Sequence, residues 1–230
     1  MRVIFAAFFL SAMSAVTQAD AITVKGDIGV WRAALDGEAG HSAVPMANLG
    51  HGNNSHRFMH LSVEHFVPLV PNYRLAYSDI KATRSTVWDA GKGHSTIDLT
   101  HVDNTAYYKL LDNWINLDLG LSLRTYDGRI TIITPDTADR IKIDKVLPMG
   151  FVLLEAELPF IGWAAGVEGN YTNFNDYKVT DYSIKLRYLF DSLVDLGFEF
   201  GYRSHTLKIN KTNGADLTLD GPYAAFAFKF

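Results

Sequence analysis

Three side chains that could carry hydrolytic chemistry, His60, Ser62 and Glu64, alternate along one short stretch of the sequence. Histidine can serve as a base, serine as a nucleophile and a carboxylate as the group that orients the base. Nucleophile and base must then lie about 2.6–3.2 Å apart. Same-face neighbours on one strand are about 6.8 Å apart, which puts Glu64 about 13.5 Å from His60. The spacing argues against a triad, so we predict hydrogen-bonding roles, no catalytic residues and no enzyme activity.

Three further histidines, His41, His51 and His56, fall in a stretch rich in Gly and Asn. Imidazoles in one loop could bind zinc or copper loosely, but their separations of ten and five residues match no tight zinc site. The chain has no cysteine, which excludes thiolate ligands, disulfides and thiol catalysis. We therefore predict neither a metal site nor a cofactor.

The element that carries the clearest pattern is the stretch from Ile115 to Arg124. Its odd positions are all Ile or Leu up to Leu123, and its even positions include Asp118 and Arg124. Successive side chains of a strand point to opposite faces, so the pattern predicts a strand with one apolar and one charged face. The question is whether the apolar face meets a protein core or lipid.

About ten segments of this kind follow one another along the chain, and no helical period of comparable length appears. They lie near 22–34, 57–67, 72–83, 94–109, 113–126, 146–158, 160–172, 177–190, 194–207 and 216–230. Short connections alternate with mostly longer ones, as in outer-membrane barrels with short periplasmic turns. The sequence therefore predicts an all-β fold, an antiparallel up-and-down transmembrane β-barrel of about ten strands.

Two local features complicate this strand count. Residues 94–109 change phase near His101-Val102, which predicts a bulge. Residues 127–145 contain Asp127-Gly128, a hairpin signal, and we interpret them as a hairpin that rises above the membrane. A count of eight or twelve strands stays open.

The polar faces hold charges of both signs, which could pair with one another inside a narrow barrel. These predicted lumen charges are Lys25, Asp27, Asp118, Arg124, Glu168, Lys185, Arg187, Glu199 and Arg203. Aromatic residues such as Tyr73, Trp114 and Trp163 fall at strand ends, where membrane interfaces favour them. Both features favour lipid outside and charge inside. The alternative is a secreted ligand-binding barrel or a periplasmic sandwich, whose apolar faces would point inward.

The two ends of the chain carry transport and assembly signals. Residues 1–21 combine Arg2, an apolar run and Ala19-Asp20-Ala21, which predicts a secretory signal peptide followed by a barrel domain at 22–230. The apolar run is shorter than the roughly 20 residues of a membrane-spanning helix. At the other end, Phe226, Phe228 and Phe230 share one face. This pattern resembles the C-terminal signal by which bacterial outer-membrane barrels are recognised for assembly, with Ala225 where that signal usually has glycine.

Two stretches resemble a known family more closely. The segments "EHFVPLVPNYRL" (64–75) and "DNTAYYKLLDNWINLDLGLSLR" (103–124) are similar to a family of small Gram-negative outer-membrane β-barrels noted with the Gly-Gly C-terminal sorting system. The resemblance implies fold and location in the cell envelope. It implies no chemistry.

These observations predict an integral protein of the bacterial outer membrane with a structural or adhesive role, or one in narrow small-solute transport. The alternative is an outer-membrane hydrolase of lipid A or peptides. Expected partners are outer-membrane lipids, lipopolysaccharide and the barrel assembly machinery, which would bind the C-terminal strand. The net charge of -4 gives no reason to expect nucleic acid as a partner.

Overall fold

The structure is a computed structural model that describes residues 22–67, 69–88, 91–158 and 162–230. The predicted signal peptide, residues 1–21, lies outside the described residues, and so do parts of two predicted short connections, at 68 and 159–161. Within the described ranges, no helix is long and apolar enough to span a membrane.

The described part of the chain is almost entirely β-structure, with one short 3₁₀ helix at Ala47–Leu49. The strands are β1 (Ile22–Ala39), β2 (Val44–Pro45), β3 (Asn53–His65), β4 (Asn72–Asp79), β5 (Lys81–Trp88), β6 (Gly91–Asp98), β7 (His101–Asp112), β8 (Ile115–Ile133), β9 (Ala138–Leu158), β10 (Trp163–Phe174), β11 (Tyr177–Phe190), β12 (Asp195–Ile209) and β13 (Ala215–Lys229).

Ten of these strands close into a ring in which neighbours in sequence are neighbours in space. The order is β1, β3, β4, β7, β8, β9, β10, β11, β12, β13, and every pairing is antiparallel. The ring closes where β13 pairs with β1, and Val24 and Phe230 exchange backbone hydrogen bonds of 2.7 and 2.8 Å. The predicted up-and-down barrel of ten strands is confirmed.

Two hairpins extend the barrel beyond the ring at the end opposite the short turns. Strands β5 and β6 form one hairpin, and β6 pairs with the upper part of β8 from His94 with Ile133 to Asp98 with Arg129. The β8–β9 hairpin is also continuous, and its turn lies at 134–137. Asp127-Gly128 therefore lies within β8, so the prediction of a hairpin was right and its implied turn position was wrong.

The predicted bulge near His101-Val102 is also wrong. The phase changes there because the chain leaves β6 at Asp98 and begins β7 at His101. The register shift of this region occurs lower down, between Lys109 and Leu111.

The loop between β2 and β3 fills a gap in the upper wall. Strand β5 is the edge of the upper sheet, and among the described strands it pairs with β6 alone. The loop lies against this edge: Thr86 donates to the carbonyl of Leu49 at 2.7 Å, and Met46 and Leu49 are fully buried. The upper barrel is thus closed by packing where it lacks a strand pairing.

The outer face changes character along the barrel. On β8, Leu119, Leu121 and Leu123 point outward and are 42–73% exposed, whereas Thr125 and Asp127 continue the same face beyond them. On β9, the exposed apolar residues Val152 and Leu154 lie beside Leu119 and Leu117, in the half of the strand nearer the short turns. This apolar belt spans about the 9–11 residues that a tilted strand needs to cross a bilayer.

The inner face changes in the opposite sense. Inside the belt it is polar and charged, with Asp118 and Arg124 each 1% exposed. Above the belt it becomes a continuous apolar core, which we call the upper core. Its buried members include Leu35, Met46, Leu49, Ile80, Ile97, Leu99, Ile130, Ile132, Ile143, Val179, Leu207, Ile209, Leu217 and Leu219. Within the belt, apolar residues therefore point outward and charged residues inward. Above the belt, apolar residues form the core, as they do in a water-soluble protein.

Inward tyrosines lie across the barrel wall because glycine faces them on the next strand. Tyr107 pairs with Gly120, where a Cβ atom would come within 2.7 Å of the Tyr107 Cβ. Tyr223 pairs with Gly201, where a Cβ atom would come within 2.5 Å of its ring. The absent side chains make room for rings whose hydroxyl groups reach carboxylates of the lumen.

Candidate functional site

The strongest concentration of functional groups is the lumen inside the apolar belt. All nine charges that the sequence predicted for it lie on inward faces of barrel strands and are largely buried. The structure divides eight of them between two hydrogen-bonded groups, and Asp118 joins neither. An upper network surrounds Arg124 below the upper core, and a lower network extends to the short-turn end.

Arg124 is the centre of the upper network. Its guanidinium donates to both carboxylate oxygens of Asp103 at 2.7 and 2.6 Å and to Asp181 Oδ2 at 2.8 Å. Arg203 donates two further bonds to Asp181 at 2.9 and 2.8 Å, and its guanidinium carbon lies 4.9 Å from the centre of the Trp31 ring. Paired, multidentate arginines of this kind lower the cost of burying the two carboxylates.

Two buried histidines complete the upper network. His205 Nδ1 lies 3.2 Å from Asp181 Oδ2, and His101 stacks on His205 with ring centres 5.3 Å apart. His101 donates from Nδ1 to the carbonyl of Leu99 at 2.8 Å, which leaves its Nε2 without a hydrogen-bond partner.

His101, Asp181 and His205 bring their ligand atoms within 4.8 Å of one another, so they could in principle hold a metal ion. The arginines argue against it. Asp181 Oδ2 already accepts from Arg124 and Arg203, both at 2.8 Å. A divalent ion would have to displace these guanidiniums or face two fixed positive charges in a poorly solvated site. The group is better suited to hold strands together than to bind metal.

The lower network links the two walls of the lumen. Glu168 accepts from Arg74 at 2.6 Å and from Lys185 at 3.1 Å, while Arg187 donates to Glu155 at 2.5 Å. Glu64 pairs with Lys25 and Lys109 and accepts from Tyr107. Tyr223 donates in the same way to Glu199 at 2.8 Å.

His60, Ser62 and Glu64 do not assemble into a catalytic triad. His60 Nδ1 pairs with Asp27 at 3.0 Å, and Glu64 instead belongs to the Lys25 and Lys109 cluster. Ser62 is buried on the same face. No hydroxyl of a described residue lies within hydrogen-bond distance of the His60 ring, which leaves Asp27 as its partner in the lumen.

The three histidines of the first long connection also lie apart from one another. His41 is exposed and its backbone N–H donates to Asp139 at 3.0 Å. His56 belongs to β3 and is buried beside Trp31, with ring centres 5.7 Å apart. His51 lies 2.8 Å from the hydroxyl of Ser95 through Nε2. The structure does not bring the three together at one point.

The His51–Ser95 pair has the contact that a nucleophile and base require, but it lacks the other parts. Ser95 is 1% exposed, so a substrate cannot reach its hydroxyl without opening the upper barrel. No carboxylate of a described residue bonds His51 Nδ1, which has no partner. Burial, with Arg84 nearby, lowers the pKa of His51 to about 4, so the ring is neutral at neutral pH.

A pocket of about 520 Å³ lies at the short-turn mouth and shares Glu157 and Arg187 with the lumen, whereas the open space farther inside is small and interrupted. One cavity of about 100 Å³ opens toward the short-turn end and is lined by lower-network residues such as Lys25, Glu155 and Arg187. A second of about 30 Å³ lies between the two networks, and Arg74, Arg124 and Arg203 line it. Phe58 and Tyr223, at the lower edge of the apolar cluster, line the second cavity, but none of the upper-core residues named above lines either one.

The predicted assembly residues lie at the closing seam. Phe226 and Phe230 are exposed on the outer face and Phe228 is partly so, all three at or next to the β13 pairing with β1. The rings thus belong to the apolar belt.

The sequence analysis missed several charges of the lumen. Asp103, Asp181 and Glu155 were not singled out, although each faces inward and carries a network bond. Their positions in the alternation of inward and outward residues could have identified them. Asp181 precedes the outward Tyr182, and Asp103 follows the outward Val102.

Comparisons with known proteins add likenesses of fold. No protein-family model and no curated protein matches the chain. Among solved structures, the outer-membrane protease OmpT of Escherichia coli covers 92% of this chain and 96% of its own, at 9% identity and a TM-score of 0.47. A Pseudomonas aeruginosa FadL homologue covers 91% and 90%, at 10% identity and 0.38. The β domain of the Bordetella autotransporter BrkA covers 91% and 98%, at 14% identity and 0.34. These structures are all outer-membrane β-barrels, and at such similarity they decide nothing about activity.

Proposed function

We propose that this protein is an integral, non-enzymatic barrel of the bacterial outer membrane that passes no solute and holds an extracellular β-structure at the cell surface. The observation that carries this proposal is the upper core. Side chains such as Ile130, Leu207 and Leu217, each at most 1% exposed, fill the bore above the lumen networks. A water-filled path would have to cross this apolar layer.

The lumen below the upper core supports the same conclusion. Its charges of both signs are tied to one another across the bore, as in the Arg74–Glu168–Lys185 and Arg124–Asp181–Arg203 groups. A narrow barrel can be filled in this way by its own side chains. Transport of small solutes, the other role compatible with the sequence, would require breaking both groups and the upper core.

The extracellular part supports a structural or adhesive role. The β8–β9 hairpin continues for about seven pairs beyond the belt, from Asp127 with Asp144 to Ile133 with Ala138. Its outer face is polar, as exposed Arg129 and Lys142 show. A folded, sealed and polar-surfaced projection is suited to contacts with other envelope or surface molecules.

The proposed partners within the membrane follow from the outer face. The apolar belt would contact the hydrocarbon of outer-membrane lipids, and the polar surface above it would meet the lipopolysaccharide headgroups. The barrel assembly machinery would take the chain through β13, whose outward Phe226 and Phe230 lie beside the closing seam.

A hydrolase is the second candidate, and the contact between His51 and Ser95 is the observation that favours it. The buried hydroxyl and the absence of an orienting carboxylate among the described residues count against it. A Ser95→Ala variant with unchanged behaviour toward lipid A and peptide substrates would agree with the non-enzymatic proposal, and loss of a measurable hydrolysis would contradict it.

Planar bilayers test the sealed bore directly. Purified protein inserted into the bilayer is expected to give no large, steady conductance, because the upper core and the ion-pair networks occlude the lumen. A general porin inserted under the same conditions serves as the positive control. Reproducible porin-sized steps from the pure protein would show that the bore is open and would refute the proposal.

A further inference from the structure

We infer that the short-turn end of the lumen holds a divalent, oxygen-binding cation of the Mg²⁺ type between β8 and β9, with Asn116, Asp118 and Glu155 as ligands. Each of these side chains has an oxygen atom without a hydrogen-bond partner: Asn116 Oδ1, Asp118 Oδ1 and Glu155 Oε2. All three residues are at most 8% exposed. Buried acceptors of this kind are normally satisfied, and an unsatisfied cluster needs an explanation.

The register of the two strands brings the three residues together. Asn116 and Glu155 are directly paired across β8 and β9, and Asp118 is the next inward residue of β8. Directly paired side chains have Cβ atoms about 4.5–5.5 Å apart, and diagonal neighbours lie within about 7–8 Å. Three oxygen ligands on adjacent rungs of one wall can therefore converge on one ion.

Two described carboxylates of this wall, Asp118 and Glu157, form no salt bridge, and Asp118 is the buried one, whereas Glu157 is partly exposed and accepts from Asn116 at 3.2 Å. By contrast, Glu64, Glu155 and Glu168 each form a salt bridge. Lys109 pairs with Asp118 in the strand register, but its amino group binds Glu64 and Asp112 at 3.2 and 2.7 Å. A buried carboxylate without a cation is costly, and a bound ion would remove that cost.

The cavity gives the ion access and water. Asn116 and Glu155 line the cavity of about 100 Å³ that opens at the short-turn end. This volume accommodates about three water molecules at roughly 30 Å³ each. Mg²⁺ keeps several waters and is usually bound by only one or two carboxylates, which matches Asp118 and Glu155 with an amide oxygen beside them.

The upper network differs from this site because its histidine and aspartate atoms already face two guanidiniums. Arg124 and Arg203 occupy Asp181 there, whereas a single arginine, Arg187, binds Glu155 here and does so through the other oxygen, Oε1. The free ligand atoms thus select the lower site, whose cavity is lined by carboxylates and by cations such as Lys25, Lys185 and Arg187.

Binding of Mn²⁺, which shares the oxygen preference of Mg²⁺ and gives an electron paramagnetic resonance signal, tests the inference on the refolded full barrel. We expect saturable binding of one ion per barrel, with competition by Mg²⁺. Asp118→Asn is expected to weaken binding at least about tenfold, since even loss of a group behind a ligand costs that much. Asn116→Leu provides a second variant, and the different gel mobility of unheated barrel shows which variants are folded.

Asp191→Asn is the matched control, because it removes the same charge from the exposed turn at the same end of the barrel. It is expected to leave binding unchanged. No saturable binding by the folded wild-type barrel would overturn the inference and leave water as the occupant of the cavity. Equal binding by wild type and both folded ligand variants would also overturn it, since the ion would then lie elsewhere.

Discussion

Replacing Arg124 with Met is expected to lower the free energy of unfolding by about 3–5 kcal/mol, the typical cost of removing one partner from a buried ion pair. The guanidinium is 1% exposed and binds both Asp103 and Asp181. Asp181 keeps Arg203, but among the described residues Asp103 forms its salt bridge with Arg124 alone. The variant would therefore leave a buried carboxylate without a cation. Urea unfolding of the barrel in lipid vesicles measures the change.

Lys142→Met is the control for this prediction, because it removes a cation from a carboxylate pair at the surface. Lys142 lies 2.7 Å from Asp144 and its side chain is 72% exposed. Exposed pairs contribute little, so its unfolding midpoint is expected to match the wild type. Equal midpoints for Arg124→Met and wild type would show that the upper network does not hold the strands together.

Replacing Leu119 with Arg is expected to cost about 2–4 kcal/mol, the cost of an arginine facing lipid at the middle of a bilayer. Leu119 points outward near the centre of the belt segment of β8. Thr125 lies on the same strand and the same face but above the belt. Thr125→Arg should therefore change stability by no more than about 0.5 kcal/mol, as at other exposed surface positions.

The same vesicle unfolding assay decides where along the outer face of β8 the contact with lipid ends. If Leu119→Arg left stability unchanged and Thr125→Arg lowered it strongly, the membrane would lie higher on the barrel than we propose. Similar losses in both variants would indicate that protein rather than lipid covers the whole outer face.

The barrel itself could be predicted from the sequence because a strand has a period of two. Every second residue from Ile115 to Leu123 is apolar, and repetition of such segments defines strand number and faces without knowledge of distant contacts. The strand ends were less accessible. β8 continues to Ile133 and β9 begins at Ala138, although the sequence analysis treated most of 127–145 as a separate hairpin.

The upper core was not predicted, although its signal is present in β8. Beyond Arg124 the phase is unbroken but the polarity is reversed, since Ile130 and Ile132 take the inward positions and Asp127 and Arg129 the outward ones. An alternating pattern reports two unlike faces and does not say which one is inside. The reversal becomes visible only when the membrane boundary on the strand is known.

The partners within the lumen could not have been predicted from one sequence. Arg124 and Asp181 are 57 residues apart and lie on β8 and β11, which do not pair. Their contact depends on how far each strand is staggered around the ring. The alternating pattern of the sequence indicates that both residues point inward. Only the closed barrel shows that their side chains are in contact.

We expect the lower outer face of this barrel to meet lipid and the upper outer face to meet water. Because the chain has no cysteine, single cysteines can be introduced and labelled with a fluorophore without background. Labels at Leu119, Leu121 and Leu123 should be quenched by lipids that carry a quencher on the acyl chain, whereas labels at Asp127 and Arg129 should not. Equal quenching at all five positions, or none at the three leucines, would contradict this position of the membrane on the outer face.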